Sequence, residues 1–265
     1  MSDVDVSGAG VVVTGAGHGI GRAIAARMAA QGARVVVNDI DADAVNRVAT
    51  EIGGGVGVAC DAATEEGVSQ LVSTARDHLG KIDVYFANAG LDVGVGLDAP
   101  AEDWARMIEV NVMGHVRAAQ HLVPTWLETG GGRLVVTASA AGLLTMLGSA
   151  PYSVTKHAAV AFAEWLSATY GHRGIVVQAI CPQGVRTRML EDAGPLQQVL
   201  SHDTALEPEQ VADTVFHALQ DDRFLILPHP EVAQYYALRA TDTDRWLAGM
   251  RKIQRRLDGQ TGAGA

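Results

Sequence analysis

Short apolar runs rich in Val, Ile and Leu alternate along this chain with longer amphipathic stretches. The runs cover 10–14, 34–38, 56–60, 82–87, 133–138, 175–181 and 223–227, and none keeps a clean period of two. A strand with one wet face alternates, whereas a parallel strand covered on both faces reads as a continuous apolar run. Between the runs, apolar positions recur at helical spacing. One helix is predicted from Gly19, where Ile20, Ile24 and Met28 share a face, and others over 43–52, 64–79, 101–127, 152–170 and 208–219. Glu207-Pro208 suits the last of these, because proline is tolerated in a first helical turn. Strands alternating with helices predict an α/β fold: a single Rossmann-type, doubly wound parallel sheet of about seven strands with helices on both faces. Right-handed crossovers in such a sheet leave ligands at the carboxyl ends of the strands. The residues just after each run are therefore where chemistry is expected.

At 265 residues the chain is long enough to bury a sizeable core. Its formal net charge of −10 argues against nucleic acid or an anionic membrane as a partner of the whole surface. The basic cluster Arg251, Lys252, Arg255 and Arg256 is local, and reads as a solvated helix face. The cysteines, Cys60 and Cys181, stand in no CxxC or ligand-type cluster, so neither a disulfide framework nor a metal site is expected. Residues 134–155 carry no charge and are long enough to cross a bilayer. Their Ser, Thr and Gly content and Pro151 read instead as a buried strand and a site loop. The acidic start lacks the basic-then-apolar pattern of a secretory signal, and a reducing cytoplasm is the expected compartment.

The first run opens into Thr14-Gly15-Ala16-Gly17-His18-Gly19-Ile20-Gly21 and then a helix. Glycines let a backbone turn sharply and approach a pyrophosphate closely. A helix start adds free N–H groups and a positive dipole end. The spacing is T-G-x-x-x-G-x-G, a variant of the commoner dinucleotide fingerprint. Asp39 ends the second run, 24 residues past Gly15, where a carboxylate can accept from both hydroxyls of an adenosine ribose. It would repel a 2′-phosphate, which predicts NAD in preference to NADP. His18 opposes this weakly, since its charge is not assured at neutral pH.

Tyr152 and Lys156 lie four apart and share a helix face. A nearby ammonium favours a phenolate, and a phenol so tuned can exchange a proton with an alcohol or ketone as hydride moves. Ser139, thirteen residues before Tyr152, ends the fifth run, where its hydroxyl can hold a substrate oxygen. Asn111 sits in the middle of an apolar helical pattern, and a buried amide there needs partners.

Taken together, these residues resemble the short-chain dehydrogenase/reductase family, in its compact branch of about 250 residues. The likeness covers roughly 8–228 and rests on Thr14–Gly21, Asp61, Asn88-Ala89-Gly90, Asn111, Ser139, Tyr152 with Lys156, and Pro182 to Thr187. It implies that Tyr152 is the general acid/base and that Lys156 lowers its pKa and binds the nicotinamide ribose. Ser139 orients the substrate oxygen, and Asn111 holds a water that relays protons from Lys156. The cofactor contacts it implies are Gly15, His18, Gly19, Ile20, Gly21, Asp39, Asp61, Ala62, Asn88, Ala89, Gly90, Tyr152, Lys156, Pro182, Val185 and Thr187. A homotetramer or dimer is implied as well, through helices 101–127 and 152–170. Two positions depart from the family pattern: Ala87 stands where Asn is common, and Gln183 where Gly is common. Gln183 either reaches the substrate or faces solvent.

The substrate wall is expected from 91–97, 142–150 and 186–206, with Leu143, Leu144, Met146, Leu147, Met189, Leu190 and Leu196 making it apolar. That suits a bulky or alicyclic secondary alcohol. Residues 1–7 read as a leader, 8–228 as the catalytic domain, 229–257 as a helical extension that helps close the site, and 258–265 as a disordered tail. Two rivals share the motifs. A 3-oxoacyl-carrier-protein-type ketoreductase would prefer NADPH, against Asp39, and a non-catalytic dinucleotide sensor would not need both Tyr152 and Lys156. A dehydratase or epimerase of the wider family would need a larger substrate domain.

Overall fold

In the computed structural model, the described residues are 6–92, 96–191 and 205–261. Seven parallel strands form one sheet in the order β3-β2-β1-β4-β5-β6-β7. They are β1 Gly10–Val13, β2 Arg34–Asp39, β3 Val56–Ala59, β4 Val84–Ala87, β5 Gly132–Thr137, β6 Ile175–Ile180 and β7 Leu225–Ile226. The predicted runs hold to within two residues at each end. β7 is the shortest, with only its Leu225–Ile226 segment pairing along β6.

Helices cover both faces, as the unbroken apolar runs require. Successive side chains of β1 point to opposite sides: Val11 and Val13 join one core with Ile24, Met28 and Phe216, and Val12 joins the other with Leu71, Leu122 and Leu166. The first core lies under α1 (Gly19–Ala30), α2 (Ala42–Glu51) and α8 (Pro208–Ala218). The second lies under α3 (Glu65–Leu79), α5 (Gly114–Glu128) and α6 (Ala150–Tyr170). Fully burying one large apolar side chain stabilises by about 1.5–3 kcal/mol, so the two cores dominate stability. Trp126 in the second keeps its polar edge satisfied, with Nε1 donating to the Ile82 carbonyl at 2.7 Å.

Local chemistry sets the helix starts. The Asp41 side chain accepts from Ala44 N at 2.9 Å and Thr64 Oγ1 from Gly67 N at 3.0 Å, each an N-cap worth about 1 kcal/mol. The helix predicted over 101–127 is one continuous rod with a defect: α4 (Ala101–Ile108) passes into a π-helical turn, Glu109–Met113, before α5. After β6 comes the short α7 (Arg188–Glu191), and beyond β7 come α9 (Glu231–Thr241) and α10 (Thr243–Thr261). The expected disordered tail is thus corrected in part, since 258–261 continue a helix that residues 243–257 already nucleate. Residues 262–265 and most of the leader lie outside the described residues. Among the described residues no helix is long and apolar enough to cross a membrane.

The strand order reverses between β1 and β4, whose outer neighbours β2 and β5 lead away in opposite directions. A crevice opens at such a switch point, outside the carboxyl ends of the strands.

Candidate active site

At the crevice, the loops after β1 and β4 are stitched together by Thr14. Its Oγ1 donates to Phe86 O at 3.2 Å and accepts from Asn88 N and Ala89 N at 2.9 and 3.0 Å. Asn88 returns the contact, its Nδ2 donating to the carbonyls of Thr14 and Gly15 at 3.0 and 3.2 Å. The Gly-rich loop is thereby pinned open above the sheet. Gly15 and Gly19 have φ of +60° and +52°, a region that L side chains seldom adopt. A Cβ on Gly21 would stand 2.3 Å from Gly15 O, so α1 can start this close to the loop only without one. His18 offers α1 no side-chain cap, which leaves first-turn N–H groups for an anion.

Asp39 leaves β2 beside this cradle. Its Oδ2 accepts from Gly17 N at 2.9 Å and its Oδ1 from Asp41 N at 3.1 Å. Asp61 Oδ1 accepts from Ala63 N at 2.9 Å after β3. On the opposite wall, Thr187 approaches to within 3.0 Å of where a Gly19 Cβ would be. Its hydroxyl donates to Val185 O at 3.2 Å, and Val185 bridges Leu206.

A cavity of about 2850 Å³ runs from this cradle across the ends of β4, β5 and β6. It is lined by all the cofactor positions expected from the sequence, and by Ser139, Tyr152 and Lys156. Its size, the Cβ-free loop and the free helix start fit an extended dinucleotide. Asn111 is the one expected site residue behind the lining: it is fully buried within the π turn. Its Oδ1 accepts from Leu91 N at 2.9 Å, and its Nδ2 donates to Leu91 O at 2.9 Å and Thr155 Oγ1 at 3.1 Å. Both amide hydrogens are committed to protein, so Asn111 ties the loop after β4 to α6. A Cβ on Gly90 would touch Asn111 Oδ1 and Lys156 Nζ alike, each at 3.2 Å.

Ser139 caps a short 3₁₀ turn, its Oγ accepting from Ala141 N at 3.1 Å, and its hydroxyl is near enough to Tyr152 to favour the phenolate. Lys156 Nζ donates to Thr137 O at 2.9 Å and lies 5.6 Å from the Tyr152 ring centre. Burial pushes the Tyr152 phenol up to about 12; the Ser139 hydroxyl opposes this, and the Asp92 and Cys181 charges add to it. Burial also brings Lys156 down to about 8, against Cys181 and Asp92. The lowered tyrosine pKa implied by the resemblance is therefore corrected for the protein alone.

Several contributors carried no sequence signal. Ser149 Oγ donates to Asp92 Oδ1 at 2.8 Å, which places a carboxylate on the substrate side within electrostatic reach of Tyr152 and Lys156. Ser153 clamps the wall: its Oγ accepts from Met146 N at 3.0 Å and donates to Met146 O at 3.1 Å. Leu144, Met146, Leu147, Met189 and Leu190 line the cavity as expected, but Leu143 turns into the second core instead. Leu196 and the rest of 192–204, like 93–95, lie outside the described residues. Gln183 is half-buried on the cavity wall: its Oε1 is buried with no partner among the described residues, and its main-chain N–H donates to His229 Nδ1 at 3.2 Å. The Arg239 guanidinium, on α9, donates to Leu143 O, which ties the C-terminal extension to the site wall. All four residues of the basic cluster, Arg251, Lys252, Arg255 and Arg256, are exposed, as expected, and Lys252 and Arg256 also border the cavity.

Fold and crevice together define a dinucleotide-binding α/β enzyme with a Ser, Tyr and Lys at its reaction end. The family model described as short chain dehydrogenase matches residues 9–197, and the chain belongs to that family. It is similar to 1-deoxy-11-beta-hydroxypentalenate dehydrogenase of Streptomyces exfoliatus, with 39% identity over 83% of this chain and 82% of that one. Among solved structures, a short chain dehydrogenase/reductase from Burkholderia phymatum in complex with NAD superposes with a TM-score of 0.84. It is 30% identical and covers 91% of this chain and 95% of its own. A 7 alpha-hydroxysteroid dehydrogenase complexed with NADH and 7-oxo glycochenodeoxycholic acid gives a TM-score of 0.77. It is 30% identical over 83% of this chain and 91% of that chain. The chain is thus an oxidoreductase of alcohols and ketones that uses a nicotinamide cofactor.

Proposed function

We propose that this enzyme prefers NAD and interconverts a bulky or alicyclic secondary alcohol and its ketone, with Tyr152 as general acid/base. The observation that carries the reading is the convergence of Ser139, Tyr152 and Lys156 on one cavity that continues into the Gly15–Gly21 cradle. When bound, the nicotinamide accepts or supplies the hydride, and its oxidised ring adds a positive charge to the site. Gly15, Gly19, Gly21 and the start of α1 would hold the pyrophosphate; Asp39 would accept from the adenosine ribose, with Asp61 and Ala62 toward the adenine. Asn88, Ala89, Gly90, Pro182, Val185 and Thr187 would frame the nicotinamide end.

In the oxidising direction, the alcohol O–H proton passes to Tyr152 Oη as hydride leaves the carbinol carbon. In the reducing direction, the Tyr152 phenol gives its proton to the carbonyl oxygen as the carbon receives hydride. A phenol pushed up to about 12 is fully protonated at neutral pH, which suits it as the acid. The positive charges of Lys156 and of the oxidised cofactor favour its phenolate for the reverse step. Ser139 Oγ holds the reacting oxygen against Tyr152, a positional contribution. Asn111 fixes the loop that carries Gly90 against Lys156.

The apolar wall of Leu144, Met146 and Leu147 supports a bulky substrate, as do the relatives named for a hydroxypentalenate and a hydroxysteroid. For assembly as a homotetramer or dimer, the support is exposed apolar surface on the expected helices: Val154 and Trp165 on α6, and Ile108 on α4. Light scattering of the purified chain tests that. NADH formation from a panel of secondary alcohols, run with NAD and with NADP, tests the function. Turnover with NAD is expected. A strong NADPH preference would move the reading to a carrier-protein-type ketoreductase, and tight NAD binding without turnover to a dinucleotide sensor.

A further inference from the structure

The last helix brings two chemically different stripes to the cavity. Trp246, Met250, Ile253 and Leu257 recur at intervals of four, three and four residues, as does a neighbouring set, Arg245, Gly249, Lys252 and Arg256. Those intervals place each set along one face of a helix. All eight residues line the cavity that Ser139 and Tyr152 also line. The apolar stripe is the more buried, with Leu257 at 8% exposure, and it shares the cavity with Leu144 and Met146. The other stripe is cationic and exposed.

These cations have no internal role. Among the described residues none of Arg245, Lys252 and Arg256 has an ion-pair partner. Acidic groups that share the cavity are engaged elsewhere: Glu51 with Arg22, Glu109 with Arg117, and Asp213 with Arg27. Asp39, Asp61, Asp92, Glu191 and Glu209 also line it, outside these pairs. In a chain of net charge −10, three cations in step along one helix face are a local concentration of positive charge. From Trp246 to Leu257 the helix rises about 16 Å, long enough to lie along a multi-ring substrate. An apolar stripe beside a cationic rim matches a molecule with a hydrocarbon body and an anionic end.

Resting on the oxidoreductase reading above, we infer that the substrate of this enzyme carries a carboxylate, which Arg245, Lys252 and Arg256 of the C-terminal helix bind while the hydrocarbon body packs on Trp246, Met250 and Ile253. The carboxylate takes no part in hydride transfer. It sets KM and orientation, and the extension becomes a specificity element as well as a cover.

The test compares a hydroxycyclohexanecarboxylate, its methyl ester and cyclohexanol as substrates of the full-length enzyme and of the Arg245→Gln/Lys252→Gln/Arg256→Gln variant. The wild type is expected to favour the carboxylate over the ester by roughly tenfold in kcat/KM, through KM, as one charge-assisted contact supplies. The triple variant should lose that preference and keep its activity on cyclohexanol. Equal use of acid and ester by the wild type would overturn the inference, as would a preference that survives in the triple variant. A variant impaired only toward NADP would also overturn it, by assigning the stripe to a cofactor phosphate. Calorimetry with adamantanecarboxylate and its neutral carboxamide gives a reading independent of turnover. If no alcohol is oxidised the catalytic reading fails, yet tighter binding of the carboxylate, lost in the variant, still supports the cationic stripe; equal binding refutes it.

Discussion

Replacing Asp39 by Asn removes one charge and almost no volume, so it isolates what that charge does to cofactor choice. The carboxylate ends β2 and is held in place by N–H groups of Gly17 and Asp41 at 2.9 and 3.1 Å. A 2′-phosphate on the adenosine ribose would come to rest near those oxygens. Two unit charges about 4 Å apart repel by about 1 kcal/mol in water and about 4 kcal/mol at an effective dielectric constant of 20. Asp39 is half-buried, so its effect falls between these limits. Asp39→Asn is therefore expected to raise kcat/KM with NADP by roughly 10- to 100-fold. It should lower kcat/KM with NAD by about tenfold, because a neutral amide accepts more weakly than a carboxylate. Initial rates against both cofactors at saturating alcohol, with melting temperatures to exclude unfolding, give the ratio directly. An NADP-to-NAD ratio that stays within about twofold of the wild type would refute the reasoning.

Thr14→Val strands the N–H groups of Asn88 and Ala89, at about 1–3 kcal/mol each. Thermal unfolding should show a melting temperature lower by roughly 5–10 °C. Gly21→Ala puts a carbon 2.3 Å from the Gly15 carbonyl, and titration of NADH fluorescence should show cofactor binding weakened far more than stability is. His115, fully buried beside Lys156, is held by burial at about 3 instead of 6.5. A depressed histidine contributes stability that is complete above pH 6.5 and is lost as pH falls toward 3, at about 1.4 kcal/mol per unit. Denaturant unfolding of His115→Leu at pH 7 and at two units below the ordinary histidine pKa should therefore show about 2–3 kcal/mol less acid destabilisation than the wild type.

Much of the architecture is legible because a doubly covered parallel sheet imposes a simple pattern. Each of the runs at 10–14, 34–38 and 175–181 must be apolar on both faces, and each became a strand. The π turn at Glu109–Met113 was not legible, since one extra residue per turn barely alters an apolar helical pattern; its trace was the buried Asn111 itself. The cradle and the Tyr152–Lys156 pair could be read because their parts are close in sequence. The Asp92–Ser149 bond joins residues 57 apart, and no local pattern announces it. The direction of the Tyr152 shift was hidden for another reason. Spacing reveals that Lys156 is near, whereas the depth of burial that outweighs it belongs to the folded chain. The basic cluster near the C-terminus is exposed, as its composition suggests, but composition does not say which side of a helix meets a cavity.

The central claim is that Tyr152 exchanges the proton while the rest of the site binds. Tyr152→Phe keeps the ring and removes only the hydroxyl. The decisive comparison is its kcat on the best alcohol set beside its affinity for NADH, measured by fluorescence. The account predicts a loss of roughly 10²- to 10⁴-fold in kcat, with NADH affinity changed by no more than about twofold. A variant that keeps kcat within about tenfold of the wild type, or that loses NADH binding in step with activity, would contradict it.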